Sequence, residues 1–163
     1  MYIAVQILVA WAYSHLLEYI LHQILHDFKH APFLFKYHFS RHHKISRKNN
    51  MKDESYDKIF KTSSLFEIGS IFLGLVLHLP LFFIFPFFYA VLVFSAIQYY
   101  MMHRKSHIDV EWGKKNMPWH YEHHMGKNQD ANWGVTTDWV DRLMGTRIRY
   151  EDRKPKHPMI NLK

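Results

Sequence analysis

The sequence predicts an all-α protein: an integral-membrane helical bundle carrying a histidine-rich helical cap. Three observations predict it. All 21 Lys and Arg of the 163 residues fall in two blocks, residues 29–61 and 104–163. Between them, residues 69–102 hold no charge of either sign over 34 positions. Histidine, at 14 residues, equals Asp and Glu combined and is clustered rather than scattered.

The charge-free run sets the bundle. One crossing needs about 20 apolar residues, so a run of 34 is too long for one and fits two. Pro80 and Pro86 sit in its middle, where a turn belongs. Residues 62–79 and 84–104 therefore read as a transmembrane hairpin, with Glu67 at the near interface and His78 an interfacial polar residue at the far turn. Residues 2–21 are apolar apart from Gln6, Ser14, His15 and Glu18, and form a first span. They lack the basic start and small-residue cleavage site of a signal peptide. The total is about three transmembrane helices. A buried soluble hairpin is the alternative, disfavoured because soluble cores rarely need so long a charge-free run.

Sidedness follows from the charges. Residues 29–61 carry nine Lys/Arg against three acids, and residues 104–163 carry twelve Lys/Arg. The positive-inside rule places both blocks in the cytoplasm and the N-terminus on the opposite side. A net charge of +7 raises nucleic acid as a partner. The basic blocks flank membrane spans, so the bilayer is the expected partner and nucleic acid is not. The chain has no Cys, which excludes disulfides, thiolate metal sites and Cys nucleophiles. Trp112, Trp119, Trp133 and Trp139 read as interfacial anchors rather than cavity walls.

Four histidine clusters carry the chemistry: His22 and His26; His38, His42 and His43; His103 and His107; His120, His123 and His124. Positions four apart on an α-helix lie about 40° apart, so each cluster aims imidazoles from one face. All ten fall at one membrane face under the predicted topology. Ten crowded imidazoles without metal would titrate near neutrality and repel once protonated. A shared metal centre holds them neutral. Ten nitrogen donors exceed one ion's inner shell, so two ions are expected. Imidazole suits Zn, Cu, Fe and Ni alike, so the donor set alone leaves the element open. A zinc hydrolase and a haem- or metal-binding membrane protein are the alternatives to an oxygenase.

Outside the ten, His15 and Glu18 share the face of His22, and an acid inside a span is a functional candidate. Metal-bound imidazoles usually donate their other N–H to an oxygen acceptor. Glu18, His15, Asp130 and Asn132 are therefore candidate supporting residues, and His30, four after His26, a candidate eleventh ligand. His157 lies in a polar, proline-interrupted tail and is unrelated to the site. Asp141 and Arg142 precede Gly145, which reads as a helix C-terminal stop, with Arg142 in a salt bridge.

The four clusters, the segment Trp119-His120-Tyr121-Glu122-His123-His124 and the ending Asn132-Trp133-Gly134 with Asp141-Arg142-Leu143-Met144-Gly145 resemble the fatty acid hydroxylase/sterol desaturase superfamily of integral-membrane di-iron oxygenases. The resemblance covers roughly residues 10–147. A membrane domain is expected over residues 1–147 and a polar tail over 148–163. The resemblance implies two iron ions, dioxygen as co-substrate, and hydroxylation or desaturation of a lipid such as a fatty acyl chain, sterol or carotenoid. Zinc would fit the same donors in a purified form. No haem- or flavin-binding segment is evident, so electrons are expected from a separate cytochrome- or ferredoxin-type partner.

Two departures stand out. Family members usually leave two residues before the His42-His43 pair, whereas His38 leaves three, with Phe39 in the usual histidine place. On an ideal helix His43 lies about 140° from His38. Either the helix ends or bulges there, or one of the two does not ligate. The chain is also short, with three crossings where four are common, which points to a homo-oligomer or a reduced membrane domain.

Overall fold

The computed structural model describes residues 2–58 and 61–150. His157 and most of the expected tail lie outside the described residues. Among those described, all regular structure is helical and there is no strand. Helix α1 (Tyr2–Leu25) is followed by a continuous helical rod of three parts: α2 (Pro32–Tyr37), a π-helical segment (His38–His43) and α3 (Lys44–Lys48). A 3₁₀ turn (Glu54–Tyr56) leads to α4 (Thr62–Leu77), α5 (Pro80–Ile84) and α6 (Pro86–Ile108). Three short helices close the chain: α7 (Val110–Asn116), α8 (Pro118–Met125) and α9 (Trp139–Met144).

Proline punctuates this order. Pro32, Pro80, Pro86 and Pro118 each occupy the first turn of a helix, where a missing N–H costs nothing. The expected hairpin break at Pro80 and Pro86 is therefore a short helix of its own, α5, between α4 and α6. His78 sits at the C-cap of α4. Its Nδ1–H donates to the Gly74 carbonyl (2.7 Å), which leaves Nε2 to accept from the Tyr13 hydroxyl (2.8 Å).

The bundle is inside-out. Along α1 the buried residues are Gln6, Ala10, His15, Tyr19 and His22, while Leu8, Val9 and Ile20 are exposed. Phe72 and Val76 of α4 and Phe94 and Ile97 of α6 are exposed likewise. Among the described residues, eighteen polar or charged residues are buried against ten hydrophobic ones. Water would not tolerate apolar surface of this extent on three helices, whereas lipid would. By length and apolarity together, α1 is the one described helix that qualifies as a span. Its 24 residues rise about 36 Å, whereas the 16 of α4 rise only about 24 Å. Helix α6 is long enough with 23 residues, but its last third turns polar because it carries the site.

Helix α1 packs along α6, and α4 leans on α6. Gln6 pins the first pair, its amide oxygen accepting from the Phe88 backbone N–H near the start of α6. The C-terminal end of α1, the N-terminal end of α4 and the C-terminal end of α6 meet at one end of the bundle. The rod of residues 32–48, α7, α8 and the loop into α9 cover that end.

Candidate metal centre

The cap brings nine of the ten expected histidines into two groups, and the tenth to their edge. His22, His26, His38, His43 and His123 form one group, here called A, and His42, His103, His107 and His124 form group B. Within each group the ligand nitrogens all lie within 4.8 Å of one another. His120 stands against B, its Nε2 3.3 Å from that of His107. The sequence neighbours His42 and His43 split between the groups, with rings at 87°, and so do His123 and His124, at 86°. An adjacent His-His pair turns about 100° on a helix. It can therefore serve two centres lying side by side.

The three-residue gap after His38 is resolved by a bulge. Residues 38–43 are π-helical, so residues five apart, not four, sit on successive turns. His38 and His43 consequently face the same point, with Nε2 atoms 3.2 Å apart. Phe39, in the usual histidine place, stacks on His43 at 5.3 Å and meets His26 edge-on at 4.8 Å. It covers the outer side of group A.

The acceptors beside Nδ1 decide which ring nitrogen is left free. Seven imidazoles have Nδ1 beside an oxygen acceptor. His22 donates to the Trp133 carbonyl (2.6 Å), His107 to Met51 (2.8 Å) and His123 to Ala131 (2.7 Å). His43 donates to the Gln129 side-chain oxygen (2.8 Å). His42 donates to Asp53 (2.9 Å), His103 to Glu67 (2.7 Å) and His26 to Asp130 (3.3 Å). A neutral imidazole has one N–H, so each of these Nε2 atoms is a bare lone pair. Yet His26 and His43, His123 and His43, and His103 and His107 bring Nε2 within 3.2 Å of Nε2. Lone pairs facing at that distance repel unless a cation lies between them. Two nitrogens about 2.1 Å from one ion stand about 3.0 Å apart at a right angle and about 3.4 Å apart at the tetrahedral angle. The observed spacing fits. Buried nitrogens of His42, His120 and His124 that have no protein partner add to the unsatisfied donor set.

The cap electrostatics agree. Burial, and then the proximity of other imidazoles, holds His38, His120, His123 and His124 well below the ordinary imidazole range. Burial lowers His43 in the same way. Neutral imidazole is the ligand form. Burial alone would push Asp53 up, but hydrogen bonds from His42 and Ser55 outweigh it and hold the carboxylate ionised.

The expected supporting residues are sorted by this geometry. Asp130 touches His26. Glu18 touches no imidazole: it accepts from the backbone N–H groups of Val135 and Thr136 and from the Thr136 hydroxyl, fastening that loop to α1. His15 lies beside the same Thr136 hydroxyl at 3.1 Å. Asn132 accepts from Ile148 N–H (2.8 Å) and Arg147 Nη1 (3.1 Å), also away from the histidines. His30 is separate from both groups; its side chain is 71% exposed and donates to Asp27 at 2.6 Å. Glu67, expected at the near interface, accepts from His103 and from the Tyr56 hydroxyl, its side chain 10% exposed. One expectation needs correcting: Trp133, 6% exposed, is not an anchor, since its ring packs on His22, His26 and His123.

Asp53, Glu67, Gln129 and Asp141 went unread as site residues in the sequence. Asp141 is the most consequential. Its carboxylate accepts from Trp133 N–H (2.8 Å), Gly134 N–H (2.7 Å) and the Thr146 hydroxyl (2.7 Å). That clamp holds the loop whose Trp133 carbonyl fixes His22. Gly134 is needed because a Cβ there would run into the Thr137 carbonyl. Gly145 ends α9 at φ 72°, as expected of a helix stop, and Arg142 pairs with Asp138 at 2.9 Å.

Taken together, the Asn-Trp-Gly loop, the Asp141 clamp and the four histidine clusters are one device for fixing imidazoles. The family model for fatty acid hydroxylases matches residues 7–146, a span that includes all of them. The chain belongs to the fatty acid hydroxylase family. No curated protein and no solved structure matches it significantly. As a fatty acid hydroxylase family member it is of an oxidoreductase, lipid-modifying and membrane-associated class.

A cavity of about 390 Å³ leads away from the histidines into the bundle. His22, His38, His42 and His103 line one end, and Gly74, Leu77 and His78 the other. Leu21, Leu73 and Leu92 line its length. From residue 66 to residue 78 along α4 is about 18 Å.

Proposed function

We propose that this protein is an integral-membrane, dioxygen-dependent di-iron oxygenase that hydroxylates or desaturates a lipid. The carrying observation is the cavity, a mostly apolar slot that ends on the histidine groups. It suits an acyl, sterol or isoprenoid chain entering from the bilayer with the reacting carbon against the imidazole cap. Groups A and B are where the two iron ions would be held, each by five imidazoles once His120 is counted with B. Iron bound there supplies the oxidising power that an unactivated C–H bond requires, drawing on dioxygen and two external electrons.

The chain's own residues do the rest. Leu21, Leu73 and Leu92 bind and align the hydrocarbon and exclude water. Trp133, Phe39 and the buried cap wall the centre off from solvent. The Nδ1 acceptors hold seven of the imidazoles in the tautomer and rotation that presents Nε2. The inside-out bundle supports a multi-pass chain in which α1, α4 with α5, and α6 cross the bilayer. Its basic flanks support a cytoplasmic metal cap with the N-terminus opposite. A separate cytochrome- or ferredoxin-type protein delivers the electrons.

Lipid profiling of a host with and without the gene tests this. A lipid species gaining one oxygen atom or losing two hydrogens supports the proposal. Unchanged lipids together with hydrolytic turnover by a zinc-loaded protein would overturn it.

A further inference from the structure

The two groups are alike in imidazole count and unlike in what stands behind the imidazoles. In B, His42 donates to Asp53 and His103 to Glu67, and these carboxylate side chains are only 1% and 10% exposed. In A, His22 and His123 donate to backbone carbonyls and His43 to the neutral Gln129 amide. The one carboxylate of A, Asp130, is 75% exposed and stands 3.3 Å from His26. Group B therefore has two largely buried carboxylates aimed at its ligands, and A has none.

A carboxylate behind an imidazole makes Nε2 a stronger donor, and its buried charge also attracts the cation directly. Solvent damps an exposed carboxylate such as Asp130. The supports of B are also tied down: Asp53 accepts from Ser55 N–H (2.9 Å) and hydroxyl (2.6 Å), and Glu67 from the Tyr56 hydroxyl (2.6 Å). The His26–Asp130 contact has solvent on one side.

We infer that the two metal positions are inequivalent: B holds its ion tightly, and A is the exchangeable position. Asp53 and Glu67 are the positioning residues that set the difference, each contributing roughly 10–100-fold in metal retention. This rests on the metal-binding reading above and on nothing about the substrate.

The test is metal release from the full-length protein, purified in detergent and loaded with cobalt(II) alone. Bound cobalt is counted while EDTA is added in steps, and the ligand-field spectrum is followed in parallel. Wild-type protein is expected to lose one ion at least ~10-fold more readily than the other. Glu67→Gln keeps the side-chain shape and removes the charge, and should bring the tight phase toward the labile one. Asp53→Asn should do the same, and Glu67→Gln carries the test alone if Asp53→Asn fails to fold. Asp130→Asn should leave the tight phase unchanged. Two ions leaving in a single phase from wild type would overturn the inference, as would a tight phase indifferent to Glu67→Gln. Failure to bind two ions at all would count against the metal reading itself, which separates the two claims.

Discussion

The bundle and the cap obey opposite rules. In the bundle, apolar side chains of α1, α4 and α6 face outward, and few polar contacts join the helices. In the cap, nine histidines are buried together with Asp53, Asn132 and Asp141, and seven imidazoles are held by a named acceptor. The bundle should be tolerant, because the contacts of outward apolar side chains are interchangeable. The cap is intolerant because each hydrogen bond fixes a tautomer, and an unpaired buried group costs about 1–3 kcal/mol. A chain with this division should respond to substitution according to region, not according to hydrophobicity.

The largest effect is expected at the cap's centre. His123→Ala should remove metal from group A and abolish product while membrane insertion stays intact. Metal analysis and a membrane-extraction assay check both halves, and retained metal with product would break the contrast. Next is Asp141→Ala, which leaves the Trp133 and Gly134 N–H groups without an acceptor. It should cost about 3 kcal/mol in unfolding free energy and loosen His22.

Acidification should act on the same region. The cap histidines are held below their ordinary value, so the unfolded, metal-free chain binds more protons than the folded one. Stability and metal retention should be full above about pH 6.5 and fall as pH drops below it. Metal counted across a pH series checks the sign, and a gain in metal below that pH would contradict it. Gly145→Ala should cost about 1 kcal/mol, because φ 72° is strained for any Cβ. Smallest is Leu8→Ala on the outer face of α1, 67% exposed and expected to move stability by under about 0.5 kcal/mol.

The sequence discloses these two regions unequally. Charge segregation and helical histidine spacing are local patterns, so the all-helical bundle and the ten histidines were legible. The helix break at Pro80 and Pro86 was legible for the same reason. The odd spacing of His38 signalled an irregularity, and of the alternatives it left open the structure shows the bulge. The supporting residues were not legible. Asp53 lies 11 residues from His42, Glu67 lies 36 from His103, and Gln129 lies 86 from His43. No periodicity connects such pairs; tertiary packing does. Glu18 illustrates the limit. Helical phase placed it on the face of His22, but a turn farther into the bundle its acceptors meet the 135–136 loop instead.

The proposed function requires two metal ions on the imidazole Nε2 atoms of the cap, with iron as the oxidising metal. Iron stoichiometry with Mössbauer spectroscopy, on full-length protein purified from iron-replete cells, tests it most directly. Two non-haem irons per chain in nitrogen-rich environments are predicted. A haem Soret band, or protein that turns over with zinc and no iron, would contradict it.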